Sequence, residues 1–492
     1  MRAKAAGFWQ SLIGYLLLDA IRRASFVLLL PVYLSTLEPD ALGALVLYNV
    51  FAAVLSVIAN LRLDASVRTL YFDLRGDREA EDHFLSGVFS LSFGLIITAS
   101  LLMALLGPVI YRSVAAGASF QFYPFGIIAM ATAFCHTALA PLFVFLRNRR
   151  DLKTFVCYSV FLIIGNVGLQ LLCLVWLDLG LVGALTGALL PPAILLTWIL
   201  VRRAPKLIRV PRWSEVSPAI RFSLPLVAFS ILFLLEARLD RLFIERHLGL
   251  SSLGIYGVLA ALLGLASMAL NALDAAIRPW LYTALADPHG EEKARVATFY
   301  TFYVGCGLLT VSLIVMAGSS LSLLTDDPAY LSVRQWIPLG ATALVPLLFT
   351  RYWGLLYLSK KKTARLTSWT LARTIATFVL LSLLVPRFGI PGALIALLVS
   401  QLLNAVVFRI ELHRFGITLR SDAITMTQAL TFLLILWGTW SIVPAENFLR
   451  FGILQFLLFL AVIAVFHYRT PRTLHQQLSE PEPEMTAGGV AP

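Results

Sequence analysis

Ten charged side chains interrupt long apolar stretches of this 492-residue chain: Asp19, Arg22 and Arg23; Glu236, Arg238, Asp240 and Arg241; Asp274; Arg351; and Arg373. Six of them are arginines, four are carboxylates and none is a lysine. Arginine stays ionised and presents a planar fork of donors that can hold two phosphate oxygens at once, which a lysine cannot do. The set reads as a site of net charge +2 suited to an anion, and to a phosphate in particular. Asp19 lies three and four residues before Arg22 and Arg23, so the acid can neutralise one arginine and leave the other free on the same or a neighbouring helix face. Glu236, Arg238, Asp240 and Arg241 mirror that grouping later in the chain. Several members have a plainer reading. Asp19 and Arg22 could form an ion pair that only fixes helix packing. Arg351 and Arg373, near predicted cytoplasmic helix ends, could snorkel to the interface. Asp274 could serve as a helix-end partner for Arg278, four residues on. His136, beside Cys135, is either a proton relay or a hydrogen-bonding group within the bundle.

The elements that position these residues are membrane helices. Hydrophobic residues make up 59% of the chain and charged ones 13%, against about 25% charged in soluble domains. A hydrocarbon core about 30 Å thick needs about 20 apolar residues per helix. Fourteen such segments run at 8–33, 42–61, 84–111, 120–146, 154–177, 179–201, 222–245, 253–276, 297–317, 335–358, 367–386, 389–410, 423–443 and 449–467. Their length and unbroken apolar character exclude barrel strands. Asp19, Arg22 and Arg23 break the first run and no small-residue cleavage site follows, so it reads as a helix and not as a cleaved signal. With the N-terminus inside, the inner loops and tails hold 28 Lys and Arg and the outer loops 5. That asymmetry predicts both termini on the cytoplasmic face. It also accounts for most of the net charge of +12, which on a soluble chain would point to nucleic acid. A charge at the bilayer centre costs at least about 2.5–3.5 kcal/mol on insertion scales, so ten of them imply a wet or protein-lined interior.

An internal repeat organises the helices. GLVGALTGALL from Gly180 resembles GIPGALIALLVS from Gly389, and LEPDALGALVLY from Leu37 resembles LGLSSLGIYGVLAALL from Leu248. Gly180 and Gly389 are 209 residues apart, Gly43 and Gly254 211. Six helices intervene, so the halves keep one orientation, as in a parallel repeat about an axis along the membrane normal. The expected domains are an N-terminal six-helix lobe (1–203), a cytoplasmic linker (204–221), a C-terminal six-helix lobe (222–412), two accessory helices (423–467) and a disordered cytoplasmic tail (470–492). The four cysteines lack CxxC spacing and read as small core hydrophobes. No HExxH, GxSxG or GxxxxGK[ST] pattern occurs, so zinc or serine hydrolysis and direct use of ATP have no support.

Three stretches give the chain a family resemblance. LEPDALGALVLYN (37–49) is similar to a G-P-E-x-x-G-x-Y segment, with Leu37 where glycine is common. LRLDASVRTLYFDLRGD (61–77) resembles the cytoplasmic loop that follows it. The longest match is SLPLVAFSILFLLEARLDRLFIERHLGLSSLGIYGVLAALLG, with Pro225, Asp240, Arg241, Gly254 and Tyr256 in place, followed by Arg278, Pro279 and Trp280. In these the chain resembles Wzx-type oligosaccharide flippases, a branch of the superfamily of MATE exporters and the lipid II flippase. The resemblance covers roughly residues 8–467. It implies an all-α polytopic protein with twelve core helices in two lobes plus accessory helices 13 and 14. It also implies alternating-access transport of a polyprenyl-pyrophosphate-linked oligosaccharide from the cytoplasmic to the periplasmic leaflet of the bacterial inner membrane. On that footing Arg22, Arg23, Arg238, Arg241, Arg351 and Arg373 are the substrate-contact candidates, and Asp19, Glu236, Asp240 and Asp274 orient them or carry coupling ions. No resident cofactor, metal or nucleic acid is expected; proton or sodium coupling, or the membrane potential, is the open energy source. Other glycan-assembly membrane proteins are possible partners. Two alternatives differ in class. A cation-coupled drug exporter would favour a net negative cavity. A membrane glycan polymerase or glycosyltransferase would need a sizeable outer loop, whereas the longest here, between helices 9 and 10, has about 17 residues, and its Asp326, Asp327 pair reads as a loop cap.

Overall fold

The computed structural model describes residues 25–71, 78–114, 120–149, 151–207, 211–285, 292–359, 363–414, 422–444 and 447–467. Every regular element among them is helical. Twelve long helices carry the described chain: α1 (Pro39–Asn60), α2 (Arg78–Val114), α3 (Phe125–Asn148), α4 (Leu152–Leu171), α5 (Gly180–Leu207) and α6 (Trp213–Leu285), then α7 (Glu292–Ser319), α8 (Ile337–Ser359), α9 (Thr363–Phe388), α10 (Ile390–Arg414), α11 (Asp422–Ile442) and α12 (Phe448–His467). Each contributes a stretch long and apolar enough to cross a membrane. α6 breaks at Gly249, where φ is 82° and ψ 179°, and so divides between the spans predicted at 222–245 and 253–276. All thirteen spans predicted from residue 42 onward therefore have their helix. The first, 8–33, falls mostly outside the described residues, which enter it as the short helices Ser25–Leu28 and Leu30–Thr36. The predicted tail, 470–492, also lies outside them. The protein is an all-α polytopic membrane protein.

Lipid is the solvent for much of this surface. Along α2 the side chains of Leu101, Leu105 and Val109 are 62%, 75% and 67% exposed. A helix apolar on every face is stable only where its outer side meets hydrocarbon.

The described residues fall into two compact units. The first draws on segments 1–265, 321–340 and 362–400. In it α1 packs on α2 and α3, α3 on α5, and α5 on α4. Tyr33 donates its hydroxyl to Gln170 Oε1 at 2.5 Å, both side chains fully enclosed. The second draws on segments 266–320, 341–361 and 401–492. There α7 packs on α11 and α12, and Ser312 of α7 donates to Gln455 Oε1 of α12 at 2.9 Å.

The repeat read from the sequence extends to the backbone within the first unit. A Cβ on Gly43 would lie 1.9 Å from the Leu250 carbonyl oxygen, and one on Gly254 would lie 2.0 Å from that of Pro39. Leu250 precedes Gly254 by four residues, as Pro39 precedes Gly43, so the contact between α1 and α6 is reciprocal. Two copies of one motif facing each other across a two-fold axis make such a contact. The second pair agrees: Gly180 and Gly389 both take left-handed backbone, φ 52° and 65°. Three residues later, Gly183 and Gly392 each press on a carbonyl of the preceding segment, at Cys173 and Leu384.

Candidate functional site

Glu236, Arg238, Asp240 and Arg241 lie in the first half of α6, before the break, in the first unit. Glu236 and Asp240 are one turn apart, so they share a helix face. Glu236 forms an ion pair with Arg373 of α9. The two side chains are 14% and 19% exposed. α9 is held in place by buried Thr370, Thr374 and Thr377, and the Thr377 hydroxyl meets that of Ser400 on α10 at 2.6 Å. Asp240 is neutralised by its neighbour Arg241, with Nη1 3.0 Å from Oδ1. The Tyr256 hydroxyl, beyond the break, donates to Asp240 Oδ2 at 2.5 Å. Arg241 Nη1 also donates to the Ala237 carbonyl at 2.9 Å, so its guanidinium is folded back along its own helix.

Two of the three arginines in this cluster are thus matched one to one with carboxylates. Arg238 makes no hydrogen bond or ion pair with a described residue and is half-buried. It is the excess cation of the cluster. A half-buried guanidinium held among neutralised pairs has all its donors available for an anion, and bidentate phosphate is the geometry that suits it.

The second unit holds a separate cluster. Arg351 of α8 reaches Asp274 Oδ2 on the last part of α6 at 3.0 Å and donates to Asn271 Oδ1 at 2.7 Å. Tyr303 of α7 donates its hydroxyl to Asp274 Oδ1 at 2.6 Å. The expected pairing of Asp274 with Arg278 is not the one the protein makes; a long arginine from α8 and a tyrosine from α7 occupy both carboxylate oxygens. Snorkelling does not describe Arg351 or Arg373 either. Both are about a fifth exposed and engaged with acids of other helices.

Asp19, Arg22 and Arg23 lie outside the described residues. Asp327 accepts from the Ala329 backbone N–H at 2.8 Å and caps the short helix Pro328–Leu331, the loop-cap role expected of it. Tyr303 completes its charge cluster without any sign in the local sequence, because a separate helix contributes it, whereas Tyr256 and Asn271 join theirs from α6 itself.

The fold is that of membrane transporters of the MOP superfamily. The lipid II flippase MurJ, in an inward closed conformation, superposes with a TM-score of 0.65 at 14% identity over 96% of this chain and 99% of its own. A multidrug resistance MATE family transporter, inward-facing, gives 0.62 at 15% identity over 80% and 95%. A MOP superfamily transporter from Pyrococcus furiosus, for which a reversed polarity of the binding pocket suggests a different function, gives 0.53 at 17% identity over 83% and 96%. The sequence pattern of the family described as "Polysaccharide biosynthesis protein" matches residues 36–326. The chain belongs to that family, in agreement with its Wzx-type resemblance. No curated protein matches it.

Proposed function

We propose that the protein carries a polyprenyl-pyrophosphate-linked oligosaccharide from the cytoplasmic to the periplasmic leaflet of the bacterial inner membrane by alternating access. Both termini face the cytoplasm. The observation that carries the reading is Arg238, a half-buried cation without a described partner, set in a membrane helix beside Glu236, Asp240 and Arg241, each of which is matched. A cationic drug would be repelled by such a group, whereas a pyrophosphate is attracted to it. Membership of a polysaccharide biosynthesis family supplies the class of cargo. Arg238 is the first head-group contact, and Arg22 and Arg23 are further head-group candidates read from the sequence. Arg241, Arg351 and Arg373 act mainly by setting the shape and charge of their surroundings. The protein is a carrier and makes or breaks no covalent bond.

The test is a deletion strain complemented at chromosomal expression level. Loss of the protein traps lipid-linked oligosaccharide in the cytoplasmic leaflet, where an impermeant glycan-modifying reagent added to intact cells does not reach it. Loss of a polymerase would instead leave single repeat units exported. Arg238→Gln reproduces the deletion while leaving the amount of protein in the membrane unchanged. Wild-type export by Arg238→Gln refutes the assignment.

A further inference from the structure

Three described carboxylates are buried to a tenth exposure or less: Glu81 at 6%, Glu411 at 2% and Glu245 at 3%. Glu81 is paired with Arg149, Nε to Oε2 at 3.2 Å. Glu411 is paired with Arg414 at 2.9 Å. Among the described residues Glu245 has neither a hydrogen bond nor an ion pair, and its Oε2 is buried without a partner. The acids deeper in the membrane, Glu236, Asp240 and Asp274, are each held by an arginine.

The surroundings of Glu245 explain why it is alone. It lies four residues before the break at Gly249, at the end of the first half of α6. The charged and titratable groups that bear on it are Arg246 of its own helix and Tyr111 of α2. Arg246 is exposed and makes no ion pair or hydrogen bond with Glu245. The Tyr111 hydroxyl donates to the Phe120 carbonyl at 2.9 Å, and Tyr48, stacked on Tyr111 at 5.7 Å, donates to the Gln121 carbonyl at 2.7 Å. Both tyrosine hydroxyls are therefore directed at backbone. An ionised carboxylate enclosed without donor or counter-ion costs several kcal/mol, and such a group takes a proton instead. Among the described residues no group of three or more acids, histidines or cysteines could hold a metal ion there.

We propose that Glu245 is a proton-binding site, neutral while enclosed, which releases its proton to water whenever the end of α6 opens. Glu245 and Arg238 are seven residues apart, hence on one face of α6 and two turns, about 10.5 Å, from each other. Protonation at Glu245 removes a negative charge from the neighbourhood of the unpaired arginine. By linkage, an anion bound at Arg238 and a proton bound at Glu245 strengthen each other. This link to cargo rests on the transport reading above; the proton site itself does not.

The experiment is infrared difference spectroscopy of the full-length protein in lipid nanodiscs, titrated from alkaline to acid pH in the absence of cargo. The wild type gains the carbonyl stretch of a protonated carboxylic acid in an apolar setting, and Glu245→Gln loses that band. An identical band in both proteins overturns the proposal. Should the glutamine variant fail to fold, Glu245→Asp in protein carrying 13C-labelled glutamate replaces it. The band then moves to the unlabelled aspartate position, and a band that stays with labelled glutamate overturns the proposal. A protein that shows the band but fails to move glycan would refute the flippase reading and leave the proton site standing.

Discussion

Removing one partner of the Glu236–Arg373 pair should cost far more than removing both. The two side chains are 14% and 19% exposed, too enclosed for water to take over from the missing partner. Arg373→Met leaves the Glu236 carboxylate with no other described partner, and Glu236→Met does the same to the guanidinium. Breaking a buried pair in this way costs about 3–5 kcal/mol, whereas replacing both charges by apolar groups of similar volume is neutral or stabilising by about 1–4 kcal/mol. Because both residues retain some exposure, the lower end, about 3 kcal/mol, is expected for each single variant; that is roughly a hundredfold in the folding equilibrium. The assay is thermal loss of monodisperse protein in detergent, followed by fluorescence-detected gel filtration for wild type, Arg373→Met, Glu236→Met and the double variant. Both singles melt earlier and the double variant recovers most of the loss. A double variant no more stable than the weaker single, or a single as stable as wild type, refutes the reasoning. Glycan export supplies a second check. The double variant should keep export, since Arg373 is matched within the protein, while Arg238→Gln should not.

Further expectations concern the scaffold. Gly43→Ala places a methyl group 1.9 Å from the Leu250 carbonyl oxygen, so α1 and α6 must separate; overpacking of this kind costs about 1–3 kcal/mol and should lower the melting point, with Gly254→Ala giving the same result. Gly389→Ala imposes a side chain on a φ of 65° and should cost about 1–2 kcal/mol in the same assay. Asp151 caps α4 by accepting from the Thr154 N–H at 3.1 Å; Asp151→Ala should destabilise by about 1 kcal/mol, read most directly as faster hydrogen exchange at the amides of the first turn.

The helices are legible in the sequence because each depends on a local property, a run of apolar residues long enough to cross hydrocarbon. Even the break in α6 has a sequence sign, since Gly249 separates two such runs. The repeat is legible because its glycines serve backbone contacts that admit no side chain, so both copies must keep them at Gly43 and Gly254. Charge pairing is not legible. Glu236 and Arg373 are 137 residues apart, and Arg351 and Asp274 are 77. Helical spacing points Asp274 to Arg278, yet Arg351 and Tyr303 from other helices reach it. Glu245 is hidden for another reason. It stands at the last residue of a predicted span, beside an outer loop where a carboxylate has water, whereas packing in the folded chain encloses it.

The ion pair between α6 and α9 also bears on how the chain is made. Translation delivers Arg373 137 residues after Glu236, and at about 5–20 residues per second the interval is ~7–27 s. During that interval the first half of α6 must enter the membrane with Glu236 lacking its final partner, at an insertion cost of about 2.5–3.5 kcal/mol for such a charge. The Asp240–Arg241 pair, adjacent in sequence, can form at once, but Glu236 must stay near water or within the insertion machinery until α9 arrives. Correct assembly of this protein is therefore a sequence of timed events, with the seating of α6 completed only when α9 has been synthesised.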